Sequence, residues 1–313
     1  MMESKKDFKI MHSIIEDARI PITVLAKKTQ LSREVVQYRL KNLEKELIVN
    51  YQARINLNYF SSAIYTIYIS IKGVEREEAI KKLKKIPLVH WAVNCGGRWN
   101  YIVTFSVHED SNLENFINEL FSSFKNKISH YSLTQHIKEL KDTFGGLFGV
   151  NVIRSSEKSL KRKIMLDEID RKILHYLIEN CRISNLEIAE KIKVTRETVR
   201  KRIINLEKED ILLGFRALIR TSALKLEDYT LAIKCTTSHT KDLEEVCNFI
   251  SKLEGCSYVC ITAGETNILI TLSVKNLQEL DKISSQMQNE FPNIIKEIEP
   301  VPLFEIGSQD YKI

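Results

Sequence analysis

Two stretches of this sequence concentrate long hydrogen-bonding side chains at helical spacing: Thr195-Arg196-Glu197-Thr198-Val199-Arg200-Lys201-Arg202 and Ser32-Arg33-Glu34-Val35-Val36-Gln37-Tyr38-Arg39. At about 100° per residue, a stripe of Val199, Ile203 and Leu206 turned inward leaves Glu197 and Lys201 pointing out, flanked by Thr198 and Arg200. Such a face suits the major groove of DNA, where side-chain hydrogen bonds read base edges and cations neutralise phosphates. One isolated copy would read equally well as a solvated charged face. Two copies in matching surroundings favour the groove.

A second pair of segments could position a small ligand. Gly97-Arg98-Trp99-Asn100 and Gly264-Glu265-Thr266-Asn267 each combine a turn-forming glycine with a charged side chain and an amide. A plain structural turn, capped by the asparagine, is the competing reading. Other chemistries find no support. The cysteines Cys95, Cys181, Cys235, Cys247, Cys256 and Cys260 show no metal or redox spacing. On one strand, Cys256 and Cys260 would stand about 13 Å apart, too far to share an ion. His12 and His175 have no second histidine or cysteine one turn on, and no Walker loop, catalytic triad or H-E-x-x-H motif occurs. The expectation is no catalytic residue, no metal, no cofactor and no enzymatic activity.

The elements that carry these residues come as a repeat. Asp7 to Ile48 matches Asp170 to Ile211 without a gap, including Arg19-Ile20 with Arg182-Ile183 and Leu43-Glu44-Lys45 with Leu206-Glu207-Lys208. Trp91 to Val107 then aligns with Tyr258 to Val274, and Phe124 with Phe291. In the second copy Ile169, Ile173, Leu174 and Leu177 form the apolar stripe of a first helix. Ser184-Asn185-Leu186-Glu187 is a capping box that opens a second helix, and Thr195 is the N-cap of a third. The short turn between the last two makes a helix-turn-helix. Ile211 to Ile219 reads as a hairpin-like wing turning at Gly214, with Asn50 in the matching place of the first copy. The first copy has Pro21 where Ser184 caps the second.

Downstream, Ile64 to Ile71 is a strand and Arg76 to Ile86 a helix ended by Pro87. Trp91 to Val107 is two strands broken at Gly96-Gly97, Leu113 to Phe124 an amphipathic helix, and Ile128 to Leu140 a last strand. The same βαββαβ order, that of a ferredoxin-like sandwich, recurs from Thr230 to Ile306. The fold class is thus α+β, with winged helix-turn-helix domains over 1–57 and 164–222 alternating with ferredoxin-like domains over 58–142 and 223–313. Residues 143–163, with Gly145, Gly146, Gly149 and Lys161-Arg162-Lys163, read as a linker.

Leu166-Asp167-Glu168-Ile169-Asp170-Arg171-Lys172-Ile173-Leu174, Arg182-Ile183-Ser184-Asn185 with Ile188-Ala189, and Thr195 to Ile203 resemble the DNA-binding domain of the Lrp/AsnC family of transcription regulators. The α/β part is similar to that family's amino-acid-sensing domain, so the resemblance covers nearly the whole chain twice. It implies a sequence-specific regulator binding double-stranded DNA through Ser32, Arg33, Gln37, Tyr38 and Arg39 and through Thr195, Arg196, Glu197, Thr198, Arg200, Lys201 and Arg202. It also implies self-association through the α/β domains and an amino-acid effector near Gly97, Arg98, Asn100, Gly264, Glu265 and Asn267. The family carries an acidic residue where this chain has Asn100 and Asn267, and a neutral amide gives no charge-assisted bond to an ammonium group.

The alternative is an enzyme on the same fold. Siroheme decarboxylases look like Lrp/AsnC proteins, and Trp99-Asn100-Tyr101 with His90 nearby resembles their Y-N segment; the second copy has Ser257 and Glu265 where the first has His90 and Arg98. Net charge of +6 and a pI of about 8.8 are compatible with nucleic acid without requiring it. No secretory signal and no apolar stretch of about 18 residues is visible, so a cytoplasmic, membrane-free protein is expected.

Overall fold

The computed structural model describes residues 5–61, 63–107, 110–150 and 165–304, with the side chains of 110–112 excepted. Two compact units result: residues up to Tyr59 with Thr143–Leu224, and Phe60–Asp142 with the chain from Lys225 onward. Like domains therefore gather with like, although they alternate along the chain.

The first unit holds both helix-turn-helix copies. The first copy is α1 (Lys5–Glu16), α2 (Ile22–Thr29), α3 (Arg33–Glu46) and β1 (Ile48–Ile55), followed by the short turn α4 (Leu57–Phe60). The second is α7 (Glu168–Glu179), α8 (Asn185–Ile192), α9 (Arg196–Lys208) and β6 (Leu212–Ile219). Asp167 and Ser184 both make reciprocal capping boxes, with Asp170 and Glu187 respectively. Pro21 has no side-chain cap to give. The turn into each third helix passes through a left-handed residue, Gln30 and Lys193, at φ 58° in both.

The hairpin-like wing is corrected. β6 runs as one strand and pairs antiparallel with β1 of the other copy, Tyr51 opposite Ala217 and Arg54 opposite Gly214. A two-fold relation between the copies matches Gly214 to Tyr51, not to Asn50. Gly214 alone of these takes positive φ, at 127°, while Asn50 Oδ1 accepts from Tyr51 N at 2.8 Å.

One apolar core spans the two copies: Ile10, Ile14, Leu25, Val36 and Leu40 share it with Cys181, Leu218 and Ile219. Phe144, Phe148 and Val150 belong to it as well. Phe144–Phe148 is a 3-10 turn, and His12 Nδ1 meets Phe148 O at 2.9 Å. A Cβ on Gly145 would collide with Val150 O. The start of the expected linker is thus packed structure, because two phenylalanines bury more apolar area than a solvated linker could leave exposed. Its remainder, 151–163, lies outside the described residues.

The second unit contains β2 (Ala63–Ile71), α5 (Arg76–Lys85), β3 (Val89–Asn94), β4 (Tyr101–Val107), α6 (Asp110–Phe124) and β5 (Ile128–Asp142). Its other half is β7 (Glu227–Cys235), α10 (Thr240–Ile250), β8 (Cys256–Gly264), β9 (Ile268–Val274), α11 (Leu277–Glu290) and β10 (Ile295–Leu303). The two βαββαβ sheets fuse through β5 and β8 into one eight-stranded sheet, ordered β10-β7-β9-β8-β5-β2-β4-β3. Its two ends meet: Cys95 bridges Leu303, Gly96 N donates to Pro302 O at 2.9 Å, and Phe304 N donates to Asn94 O at 3.1 Å. Helices cover the outer face over two separate cores, one per copy. A third cluster, including Tyr68, Val93, Trp99, Ile102, Leu269, Val301 and Leu303, lies on the inner face. No helix among the described residues is long and apolar enough to cross a membrane.

Candidate nucleic-acid interface

In α9 the stripe Val199, Ile203 and Leu206 is buried, and Arg196, Glu197, Arg200 and Lys201 are exposed on the opposite side. Thr195 Oγ1 caps the helix by accepting from Thr198 N at 3.1 Å. Arg200 grips Glu197 bidentately, Nε at 2.9 Å and Nη2 at 2.8 Å. That hydrogen bond holds the Glu197 carboxyl below its ordinary range and the Arg200 guanidinium above its own. Lys201 and Arg196 lie near enough to favour the charged Glu197 carboxylate as well.

The corresponding face of α3 is less cationic. Ser32 Oγ caps it by accepting from Val35 N at 3.3 Å. Arg33, Glu34, Val35 and Gln37 are exposed, and Tyr38 stands 70% exposed. With Val35 one turn before it, Tyr38 makes a small exposed apolar spot, unusual for a face that only contacts water.

Two residues expected on this face are elsewhere. Arg39 Nη1 donates to Asp7 Oδ1 at 2.9 Å, and Arg202 pairs with Asp170 at 3.1 Å and Asp167 at 2.8 Å. Both turn back to the first helix of their own copy, three residues beyond the buried valine of the stripe, where a helical side chain points sideways rather than out. They brace the fold of each reader. Desolvation raises the Asp170 carboxyl above its usual value in spite of Arg202.

Sequence reasoning missed the pair Arg19 and Arg182. Arg19 Nη2 donates to Ile183 O at 2.9 Å and to Asn185 Oδ1 at 2.6 Å, while Arg182 Nη1 donates to Ala18 O at 2.9 Å. They also lie over Phe215 and Tyr51, 5.3 Å and 5.1 Å from the ring centres. Each arginine thus fastens its copy to the other. Their presence at matching positions of the repeat was the available signal.

The residues expected around an effector do come together in the second unit. Asn100 clamps its turn to the end of β2: Nδ2 donates to Ile71 O at 2.7 Å and Oδ1 accepts from Ile71 N at 2.9 Å. Asn267 accepts from Cys235 N at 2.8 Å at the same place in the other copy. Both asparagines therefore hold backbone. Gly97 and Gly264 take φ 87° and 145°. Arg98 lies over Trp99 and reaches Glu265 at 3.4 Å, so the two turns meet. Lys234 also reaches Glu265, at 3.7 Å.

Paired helix-turn-helix readers with paired ferredoxin-like domains define a two-copy member of the winged-helix plus α/β class. Residues 166–207 match the AsnC-type helix-turn-helix domain, and residues 3–46 match a winged helix-turn-helix DNA-binding domain. An uncharacterized HTH-type transcriptional regulator of Pyrococcus horikoshii is 35% identical over 121 residues, which is 39% of this chain and 75% of that protein. The DNA-binding transcriptional activator DecR of Escherichia coli is 29% identical over 133 residues, 42% of this chain and 86% of its own. The chain belongs to the Lrp/AsnC family.

Over its whole length it resembles a different protein. The crystal structure of the siroheme decarboxylase NirDL covers 96% of this chain and 91% of its own, with a TM-score of 0.64 at 14% identity. The expectation that the chain is not an enzyme is overturned by this match, since the same two-copy fold carries an enzyme.

Proposed function

We propose that the chain is a transcription regulator that reads double-stranded DNA with two unequal helix-turn-helix faces joined in one polypeptide. The observation that carries this reading is the outward row of α9, a capped helix with Arg196, Glu197, Arg200 and Lys201 exposed opposite a fully buried stripe. The β1–β6 ladder adds the pairing that family members need for two half-sites, here within a single chain. Contacts run from Thr195, Arg196, Glu197, Thr198, Arg200 and Lys201 in one reader and from Ser32, Arg33, Gln37 and Tyr38 in the other. The protein works in the cytoplasm. An amino acid is the effector, held at the Arg98–Glu265 meeting of the two turns, where carboxylate and ammonium could exchange for the resident ion pair. Further self-association would use surfaces other than the inner sheet faces already paired in the chain.

Gel retardation of the full-length protein on genomic fragments, repeated at rising salt, tests the reading. Sequence-selective retardation that weakens steeply with salt supports it. Binding to no fragment at low salt rejects it. A second reading, a tetrapyrrole enzyme, is supported by the whole-chain fold shared with siroheme decarboxylase NirDL and by His90, buried and 2.6 Å from Ser106 Oγ. A Soret band that shifts when siroheme is mixed with the protein, followed by loss of carboxylate from the tetrapyrrole, would favour it.

A further inference from the structure

An eight-stranded barrel encloses a space just wide enough for side chains to fill or for one small ligand to occupy. The closed sheet of the second unit is of this kind, and its inward residues decide between the two. Strand alternation assigns them. In β4, Val103 and Phe105 join the helix-side core, so Ile102, Thr104 and Ser106 face inward. In β9, Ile270 and Leu272 join the other helix-side core, so Leu269, Thr271 and Ser273 face inward. At mid-height the inward positions are short: Thr66, Thr104 and Thr134 from one copy, Thr230 and Thr271 from the other.

These threonines do not fill the space. Thr104 and Thr271 each sit on a strand flanked by strands on both sides, under a helix layer, and still keep accessible surface. That surface can only open inward. His136 and Tyr258, joined to each other and to Thr66 by hydrogen bonds, likewise keep accessible surface. Two hydroxyls aimed at the same interior, Tyr68 at 3% exposure and Thr134 at 1%, have no hydrogen-bond partner among the described residues. Leaving such buried hydroxyls without a partner is unfavourable, because they give up water and gain nothing in return.

The walls differ in character. From β4 across β2 to the β5–β8 seam a polar chain runs from Thr104 Oγ1 to Thr66 Oγ1 (3.1 Å), to His136 Nε2 (2.8 Å), and from His136 Nδ1 to Tyr258 OH (3.3 Å). Opposite, where β3 and β10 close the barrel, Val301 and Leu303 stand at the positions that Thr134 and His136 occupy in the first copy. Trp91 and Tyr258 hold equivalent places, opposite Thr104 and Thr271. We propose that the barrel interior is a binding site for one uncharged aromatic molecule with hydrogen-bonding groups along one edge. Its ring packs on Trp91, Tyr258 and the apolar closure, and its edge meets the unpartnered hydroxyls of Tyr68 and Thr134, beside His136. Burial pushes the His136 imidazole down to about 4, so at neutral pH it brings no charge to pair with an anion. This site is separate from the Arg98–Glu265 turn, and it does not depend on DNA binding.

The test uses full-length protein and indole, a neutral ring with one N–H, in equilibrium dialysis at pH 7.5, with L-tryptophan as the charged counterpart. Saturable uptake of one indole per chain, weakened about tenfold or more in Thr104→Leu/Thr271→Leu, supports the site. Should that variant fold poorly, Thr134→Val and the imidazole nitrogen resonances of His136 provide the second readout, which indole must shift. No saturation up to the solubility of indole, binding unchanged in every variant, or tighter binding of L-tryptophan that shifts no His136 resonance would overturn the proposal.

Discussion

Replacing Glu197 by glutamine should make the second reader bind DNA more tightly and more salt-sensitively. In the unbound protein, Arg200 is held bidentately by Glu197. Both side chains are 55% exposed, so the pair adds little to helix stability and its loss should leave the fold intact. The substitution adds one unit of positive charge to the face that presents Lys201 and Arg196. For duplex DNA the salt slope changes by about 0.9 for each phosphate neutralised. One newly available guanidinium should therefore steepen the slope by about that amount. Relative to a 1 M reference, this predicts roughly eightfold tighter binding at about 0.1 M salt. The assay is fluorescence anisotropy on a non-specific 25-base-pair duplex across a salt series, with thermal unfolding as the control. Arg200→Gln, which leaves Glu197 unneutralised, should weaken binding by a similar factor. An unchanged slope in Glu197→Gln would refute the reasoning. So would loss of affinity, since it would mean that the contact Glu197 makes to DNA outweighs the Arg200 guanidinium it holds.

Binding selection on random duplexes should return two different half-sites, and Gln37→Ala/Tyr38→Ala should relax preference at one of them; a perfect palindrome would contradict unequal reading. Phe148→Ala removes a fully buried ring from the core shared by the two helix-turn-helix copies and should cost about 3–5 kcal/mol by chemical denaturation, whereas less than about 1 kcal/mol would mean that the segment is a tether. His136 should make the second unit acid-sensitive. Its folded pKa of about 4 lies below the ordinary 6.5, so the stability it contributes is complete above about 6.5 and is lost as pH falls toward 4, on the order of 3 kcal/mol in all. His136→Gln should flatten the pH profile of unfolding over that interval, and an unaltered profile would show that the imidazole is not the titrating group.

Local chemistry was legible in the residues themselves. The capping box at Ser184 and Glu187, the N-cap Thr195 and the stripe Val199, Ile203 and Leu206 each announce structure within a few positions, and each forms as read. The winged-helix and ferredoxin-like classes followed from those short-range signals and from the repeat. Pairing did not. Leu212 to Ile219 has the composition of a strand whichever strand it meets, and only the antiparallel register with β1 shows that its partner is the other copy. The same limit applies to Arg39 and Arg202, whose charge reads as a DNA contact until Asp7, Asp167 and Asp170 are seen to take it. Asn100 and Asn267 look like ligand groups in sequence because the backbone they clamp is some thirty residues away. The barrel interior left no local trace, since five threonines on five strands form no motif.

The ladder between β1 and β6 and the crossed arginines Arg19 and Arg182 join halves that, in a two-chain protein, would have to find each other by diffusion. Here the partner is always present, at an effective concentration set by the intervening chain and typically near the millimolar range for short tethers. Pairing of the readers is then a first-order event. A half-unfolding temperature measured at nanomolar protein should equal one measured a thousandfold higher, and a cell with a handful of molecules would hold as large a fraction of paired readers as one with thousands.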